Sequence, residues 1–184
     1  RPYRDYVEWL EPRDPGAAER YWRGVLAGFE APTRLGVDRA AGPAEESRYV
    51  DHVADLTLEE TRRLEDGARS MRVTLNTLLQ GTWGLLLSRY SGNEDVVFGT
   101  TGWGRPAELD GVEEMIGLFI NTLPLRLRTP GGARPGAWLS ALQLAQGEAR
   151  EFEYAPLASI QGWSEVPRGT RLFESLFMYE NYPP

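Results

Sequence analysis

Proton transfer near neutral pH and zinc binding both lean on histidine, and this chain has one, His52, and no cysteine. That pairing nearly excludes the ordinary zinc sites. No G-x-S-x-G elbow, Walker loop or dinucleotide fingerprint supplies another centre. His52 lies in the run Arg48-Tyr49-Val50-Asp51-His52-Val53-Ala54-Asp55-Leu56. The alternation predicts a half-exposed strand with Arg48, Val50, His52, Ala54 and Leu56 on one face. There His52 reads as a packed or hydrogen-bonded strand histidine, and no Ser or Cys nucleophile is recognisably paired with it. Taken alone, the chain is chemically underequipped.

The other polar candidates gather between Asp95 and Arg126. An apolar run, Val96-Val97-Phe98, passes into Gly99-Thr100-Thr101-Gly102, then a bulky exception, Trp103, then Gly104-Arg105-Pro106. An acidic loop from Glu108 to Glu114 follows, and a second apolar run, Ile116 to Leu127, carries one amide, Asn121. Two near-continuous apolar runs joined by such a loop read as neighbouring core strands whose ends reach outside the core. Asn121 within an apolar strand is a buried amide that must find partners. Gly102 and its neighbouring glycines let backbone pass close to another chain or ligand.

The elements that must position these residues are mostly helical. Tyr3 to Leu10 has helical spacing, with Pro12 and Pro15 ending or interrupting it, and Ala17 to Leu26 forms a second short helix. Residues 30–46 carry no period and read as an exposed connector. Thr57-Leu58-Glu59-Glu60 is a capping box that starts a helix, and Thr74 starts another that runs to about Tyr90. That second helix is apolar over most of its circumference and is predicted to be buried. Pro135 opens a helix to about Phe152, Pro156 begins a short one, and Leu172 to Tyr179 alternates as a strand. The tally is an α/β layer structure of about four strands and six helices, with 184 residues enough for one core.

Net charge is −7, the wrong sign for a chain that holds nucleic acid by counterion release. No apolar run approaches the length of a membrane span, so neither nucleic acid nor membrane is an expected partner. The absence of cysteine fits a reducing, cytoplasmic compartment. All twenty basic residues are arginine, a coding bias without mechanistic content.

The order of these motifs resembles the condensation domains of nonribosomal peptide synthetases. Tyr3, Asp5, Tyr6 and Trp9 match a Y-x-D-Y-x-x-W motif, and Trp103-Gly104-Arg105-Pro106 stands at the family's S-G-R-P turn. Ile116-Gly117-Leu118-Phe119-Ile120-Asn121-Thr122-Leu123-Pro124-Leu125-Arg126 matches I-G-x-F-x-N-T-x-P-x-R, the specific signal among them. Glu153 to Leu157 and Arg168 to Phe173 match the last two motifs loosely. The catalytic H-H-x-x-x-D-G motif has no counterpart.

The resemblance implies a chloramphenicol-acetyltransferase-like two-layer lobe, a mixed sheet of about four or more strands with helices packed on it. Residues 1–184 are then expected to be the C-terminal lobe of a condensation domain whose N-terminal lobe is absent. The family joins a donor peptidyl or acyl thioester to an acceptor aminoacyl amine, both carried on phosphopantetheine arms, with no cofactor bound directly. The implied partners are the N-terminal lobe, the donor and acceptor peptidyl carrier proteins and an adjacent adenylation domain. Gly102, Trp103 and Asn121 fall on the tunnel wall; Arg48, Arg105 and Asp5 fall in inter-lobe or structural positions. Arg48 and Arg105 are both candidates to pair with the aspartate of the missing motif. The acidic loop Glu108 to Glu114 is long enough to bridge the two lobes; Trp103 replaces a small residue, so its indole either narrows the acceptor side or packs on that bridge. Asn121 either pins loop backbone or faces substrate. The alternative reading is a non-catalytic docking or scaffold lobe that binds carrier proteins or a tailoring enzyme. An epimerization domain shares the fold, but Phe119 to Pro124 favours condensation, and a free coenzyme-A-dependent acyltransferase ranks below both.

Overall fold

The structure, a computed structural model, describes residues 1–36, 49–102, 104–106, 108–129 and 131–180. Strand β1, Asp95–Gly102, is the axis of the fold. It pairs antiparallel along its whole length with β2, Asn121–Arg128, from Asp95 opposite Arg128 to Gly102 opposite Asn121. On its other edge a two-residue strand β3, Leu176–Phe177, runs parallel, giving the order β2-β1-β3.

Side chains alternate across a strand, so each face of this sheet needs its own cover. Val97 and Leu123 enter one core with Trp22 and Leu26 of α2 (Pro15–Leu26) and Ile160 of α6 (Leu157–Trp163). Val96, Phe98, Leu125 and Leu127 enter the opposite core. There they meet Ala68 of α3 (Leu58–Ser70), Leu87 of α4 (Leu75–Ser91), and Leu139 and Leu142 of α5 (Pro135–Arg150). The expected mixed α/β lobe is what the chain forms, with helices on both faces of the sheet. Among the described residues no helix is long and apolar enough to cross a membrane.

Local signals set the helix starts. The Asp14 side chain accepts the Gly16 N–H at 2.8 Å and Pro15 occupies the first turn of α2. Pro15 therefore opens a helix rather than interrupting the previous one, because its missing N–H would be unpaired there anyway. Thr57 and Glu60 complete the predicted capping box of α3. Thr74 caps α4, which ends on Gly92 in the left-handed conformation (φ 73°).

Further expectations are corrected. Residues 49–56 form no strand and are exposed, Tyr49 completely. Alternation specifies two faces, but a strand also needs a partner, and this segment pairs with none of the three strands among the described residues. His52 is accordingly exposed rather than packed. The second apolar run divides: only Asn121–Arg128 joins the sheet, and Ile116, Leu118 and Ile120 stand 94%, 75% and 56% exposed. The final strand shrinks to Leu176–Phe177, so three strands form among the described residues instead of about four.

Helix α4 is not buried all round either; Leu85 and Leu86 are exposed, and the covered face holds Thr77, Gln80, Gly81, Gly84, Leu87 and Ser88. The small residues on that face admit Leu139 of α5 and Leu127 of β2 to the helix backbone. The polar ones form a network: Gln80 Nε2 donates to Thr100 Oγ1 (3.0 Å) and Asn76 Oδ1 (3.1 Å), and Gln146 Nε2 donates to Gln80 Oε1 (2.6 Å). Close approach decided which face went inside, and total hydrophobicity did not.

Candidate functional site

Gly102, Gly104, Arg105 and Asn121 meet the Tyr3 motif where β1 ends and β2 begins. Asn121, opposite Gly102, turns its amide away from the strand. Its Nδ2 donates to the carbonyls of Glu153 (2.7 Å) and Ala155 (2.9 Å), while its Oδ1 accepts the Thr122 N–H at 2.9 Å. A half-buried amide is thereby satisfied on both sides, and the connector between α5 and α6 is fixed to the start of β2.

A second assembly closes the same end. Helix α1, Arg4–Leu10, buries Tyr6, which joins Val112, Met115 and Phe119 in a third small core. Tyr3 packs edge-on to Phe119 with centroids 5.2 Å apart, and Tyr6 lies 4.7 Å from the same ring. The Tyr3 hydroxyl donates to the Leu118 carbonyl at 2.6 Å. Gly117 is needed here because any Cβ would enter the Tyr3 ring.

Arg105 fastens the loop from inside. Its Nη2 donates to the Met115 carbonyl at 3.1 Å, Nη1 donates to the Val112 carbonyl, and the guanidinium lies 4.1 Å from the Phe119 ring centroid. Gly104, with φ +57°, brings its backbone against the Phe119 carbonyl, where a side chain could not fit. Residues 109–115 thus fold back onto α1, with Val112–Glu114 as a 3₁₀ turn. The side chains left projecting beyond it are Ile116, Leu118 and Ile120.

Two charged groups that carried no site assignment in the sequence are prominent. The Arg126 side chain is 9% exposed and clasps Asp95 with two bonds, Nε to Oδ1 at 2.8 Å and Nη2 to Oδ2 at 2.7 Å. Its Nη1 also donates to the Val25 and Ala27 carbonyls, each at 2.8 Å, tying the end of α2 to the sheet. Hydrogen bonds from Arg126 hold the Asp95 carboxyl below its ordinary value. Glu153 is the reverse case: burial pushes its carboxyl up, Arg150 and the Gly104 N–H oppose that, and Glu108 adds to it. Its Oε2 lies 3.1 Å from where a Gly102 Cβ would stand.

Of the residues singled out in the sequence, Gly102, Asn121 and Arg105 come together at this end of the sheet. Asp5 lies in the first turn of α1, half-buried on the same helix as Tyr6. Trp103 and Arg48 lie outside the described residues. Glu153 escaped sequence reasoning because a glutamate among acidic residues near a helix end looks like a solvated face. The Asp95–Arg126 clasp had one readable signal, a charged residue at the far end of each apolar strand.

The Condensation domain family model matches residues 1–184. The chondramide synthase of Chondromyces crocatus is 50% identical over 182 residues, covering 99% of this chain and 5% of that protein. The X-domain from teicoplanin biosynthesis superposes with a TM-score of 0.74 at 28% identity, covering 93% of this chain and 40% of that one. A second structure holds that X-domain in complex with OxyB (TM-score 0.67, 32% identity, 82% of this chain and 33% of that one). The starter condensation domain of rhizomide synthetase, crystallised with C8-CoA, shares the fold at TM-score 0.67 and 23% identity, covering 89% of this chain and 35% of that one. The chain therefore spans a small fraction of the curated relative and well under half of these solved chains. It belongs to the condensation-domain family of nonribosomal peptide synthetases.

Proposed function

We propose that this chain is the C-terminal lobe of a condensation domain that joins a donor acyl or peptidyl thioester to an acceptor aminoacyl amine. Both substrates ride on phosphopantetheine arms of carrier proteins. In this reading Gly102, Trp103 and Asn121 form tunnel wall, and the catalytic histidine motif belongs to a partner lobe. The bridging role expected of the acidic loop Glu108 to Glu114 falls in this reading to the exposed side chains of 116–120, because 109–115 pack on α1. The observation that carries the reading is the exposure of Ile116, Leu118 and Ile120 on a segment whose base is locked by Tyr3, Arg105 and Phe119. Three large apolar side chains projecting from a braced loop suit a surface that another lobe covers. Asp5 and Arg105 serve this lobe structurally, and Arg48 is the candidate left to pair with the partner lobe's aspartate.

The test is condensation between two loaded carrier proteins, followed by mass spectrometry of the carrier-bound product. The intact two-lobe domain should form the amide, and Arg48→Ala in that domain should lower the rate. Residues 1–184 alone should form none. Amide formation by the isolated chain would overturn the assignment.

A second reading, a docking lobe for a tailoring enzyme, draws on the teicoplanin X-domain held in complex with OxyB. It predicts measurable binding of a partner enzyme by an intact domain that forms no peptide bond.

A further inference from the structure

Residues 49–56 have the sequence of a strand and none of its pairing. In an extended chain Val50, Ala54 and Leu56 lie on the face opposite Asp51 and Asp55. Yet every residue from Tyr49 to Leu56 is exposed, Val50 by 68% and Leu56 by 58%. Among the described residues no main-chain N–H or carbonyl of the segment meets a main-chain partner. Its far end is fixed all the same, because Thr57 starts α3 with both bonds of the capping box. The result is an alternating run held at one end and open along both edges.

The edges of the chain's own sheet do not suit it. The Gly99 N–H donates to the Ser175 carbonyl on the β3 side, so Gly99 and its opposite residue Pro124 form a non-hydrogen-bonded pair. The Pro124 nitrogen therefore points to the outer edge of β2, where it removes a donor that a further strand would need. The neighbouring outward N–H, that of Thr122, is already taken by Asn121 Oδ1 at 2.9 Å. On the other side, the Val97 N–H of β1 is taken by Thr33 Oγ1 at 2.9 Å. What remains there is β3, whose two residues give about 7 Å of edge against the roughly 26 Å that eight residues span.

We propose that residues 49–56 are a donated strand, which pairs with a sheet edge of the partner lobe and carries Val50, Ala54 and Leu56 into that lobe's core. This rests on the two-lobe reading above. The teicoplanin X-domain has well over half of its length outside the match to this chain, ample for a second sheet. Main-chain bonds would supply the affinity and alternate side chains the fit, as in other strand additions. Asp51 and Asp55 keep the opposite face in water. They also argue against a second copy as the occupant: two copies paired antiparallel about Val53, apolar faces together, would set Asp51 against Asp55.

The experiment is amide exchange on the intact two-lobe domain, read residue by residue over 49–56. Alternate amides should exchange at least about tenfold more slowly than free ones, since an added strand bonds along one edge only. Val53→Pro and Ala54→Pro remove N–H groups that point to opposite edges. One of them should return the slowed amides to the free rate, and the other should leave them within about twofold of wild type. Free exchange throughout 49–56 in the intact domain overturns the proposal, as does an equal effect of the two prolines. Residues 1–184 alone should show no slowed amides in this segment. Slow exchange there would assign the segment to its own lobe, and slowing that grows with protein concentration would assign it to a second copy; either overturns the proposal. A condensation assay on the same intact domain keeps the two readings apart: absence of amide product counts against the condensation reading, while the exchange pattern still decides whether 49–56 is a donated strand.

Discussion

Asn121 and Arg126 show two ways in which a polar side chain stays inside an apolar strand. Asn121 satisfies its amide with three backbone groups, two of them on another segment. Asn121→Ala should therefore cost about 1–3 kcal/mol, because it leaves the Glu153 and Ala155 carbonyls without their donor. Urea unfolding of the intact domain measures it, and a loss below about 0.5 kcal/mol would mean that water replaces the amide freely. Arg126 depends on charge instead. The folded Asp95 carboxyl has a lowered pKa, so its contribution is full above the ordinary value of 3.8 and is lost as pH falls through the folded value. Asp95→Asn should flatten the acid side of the stability profile relative to wild type; thermal melts across the acid range up to neutrality would show an unchanged slope if the clasp contributed nothing. Trp103 is tested at this scale too. Under the proposed function, Trp103→Ser in an intact domain should broaden the range of accepted acceptor amines, and an identical acceptor profile would discount its steric role.

Among the elements, α1 and segment 109–119 form one unit, since neither has a core without the other. A seven-residue helix is too short to persist alone. It is held because Tyr3, Tyr6 and Phe119 share one aromatic cluster. Gly117→Ala would push a methyl group into the Tyr3 ring and should release the whole unit, costing about 1–3 kcal/mol as an overpacked contact does. Faster amide exchange over both 4–10 and 112–119 is the expected signature; a change confined to 117 itself would show that the two segments are independent. The helix starts, by contrast, were legible residue by residue. Thr57 and Glu60 spell a capping box and Thr74 a second cap, because each is a contact between neighbours in sequence.

Across the whole molecule, the apolar residues of β1 and β2 go to opposite faces under helices drawn from every part of the chain. The amino-acid sequence by itself determined the capped helix starts at Thr57 and Thr74, the existence of the central strand pair, the mixed α/β class and, through Tyr3 to Trp9 and Ile116 to Arg126, the family. Those features rest on local propensity, periodicity and motif spacing, which act over a few residues. The tertiary structure decided what alternation and hydrophobicity leave open. It decided that residues 49–56 find no edge, that Ile116, Leu118 and Ile120 face outward, and that α4 buries its glycines and Gln80 in place of Leu85 and Leu86. It also decided that the main-chain carbonyl of Glu153, thirty-two residues away, accepts the Asn121 amide. Each of these depends on which distant backbone comes near, and a one-dimensional pattern carries no record of that distance.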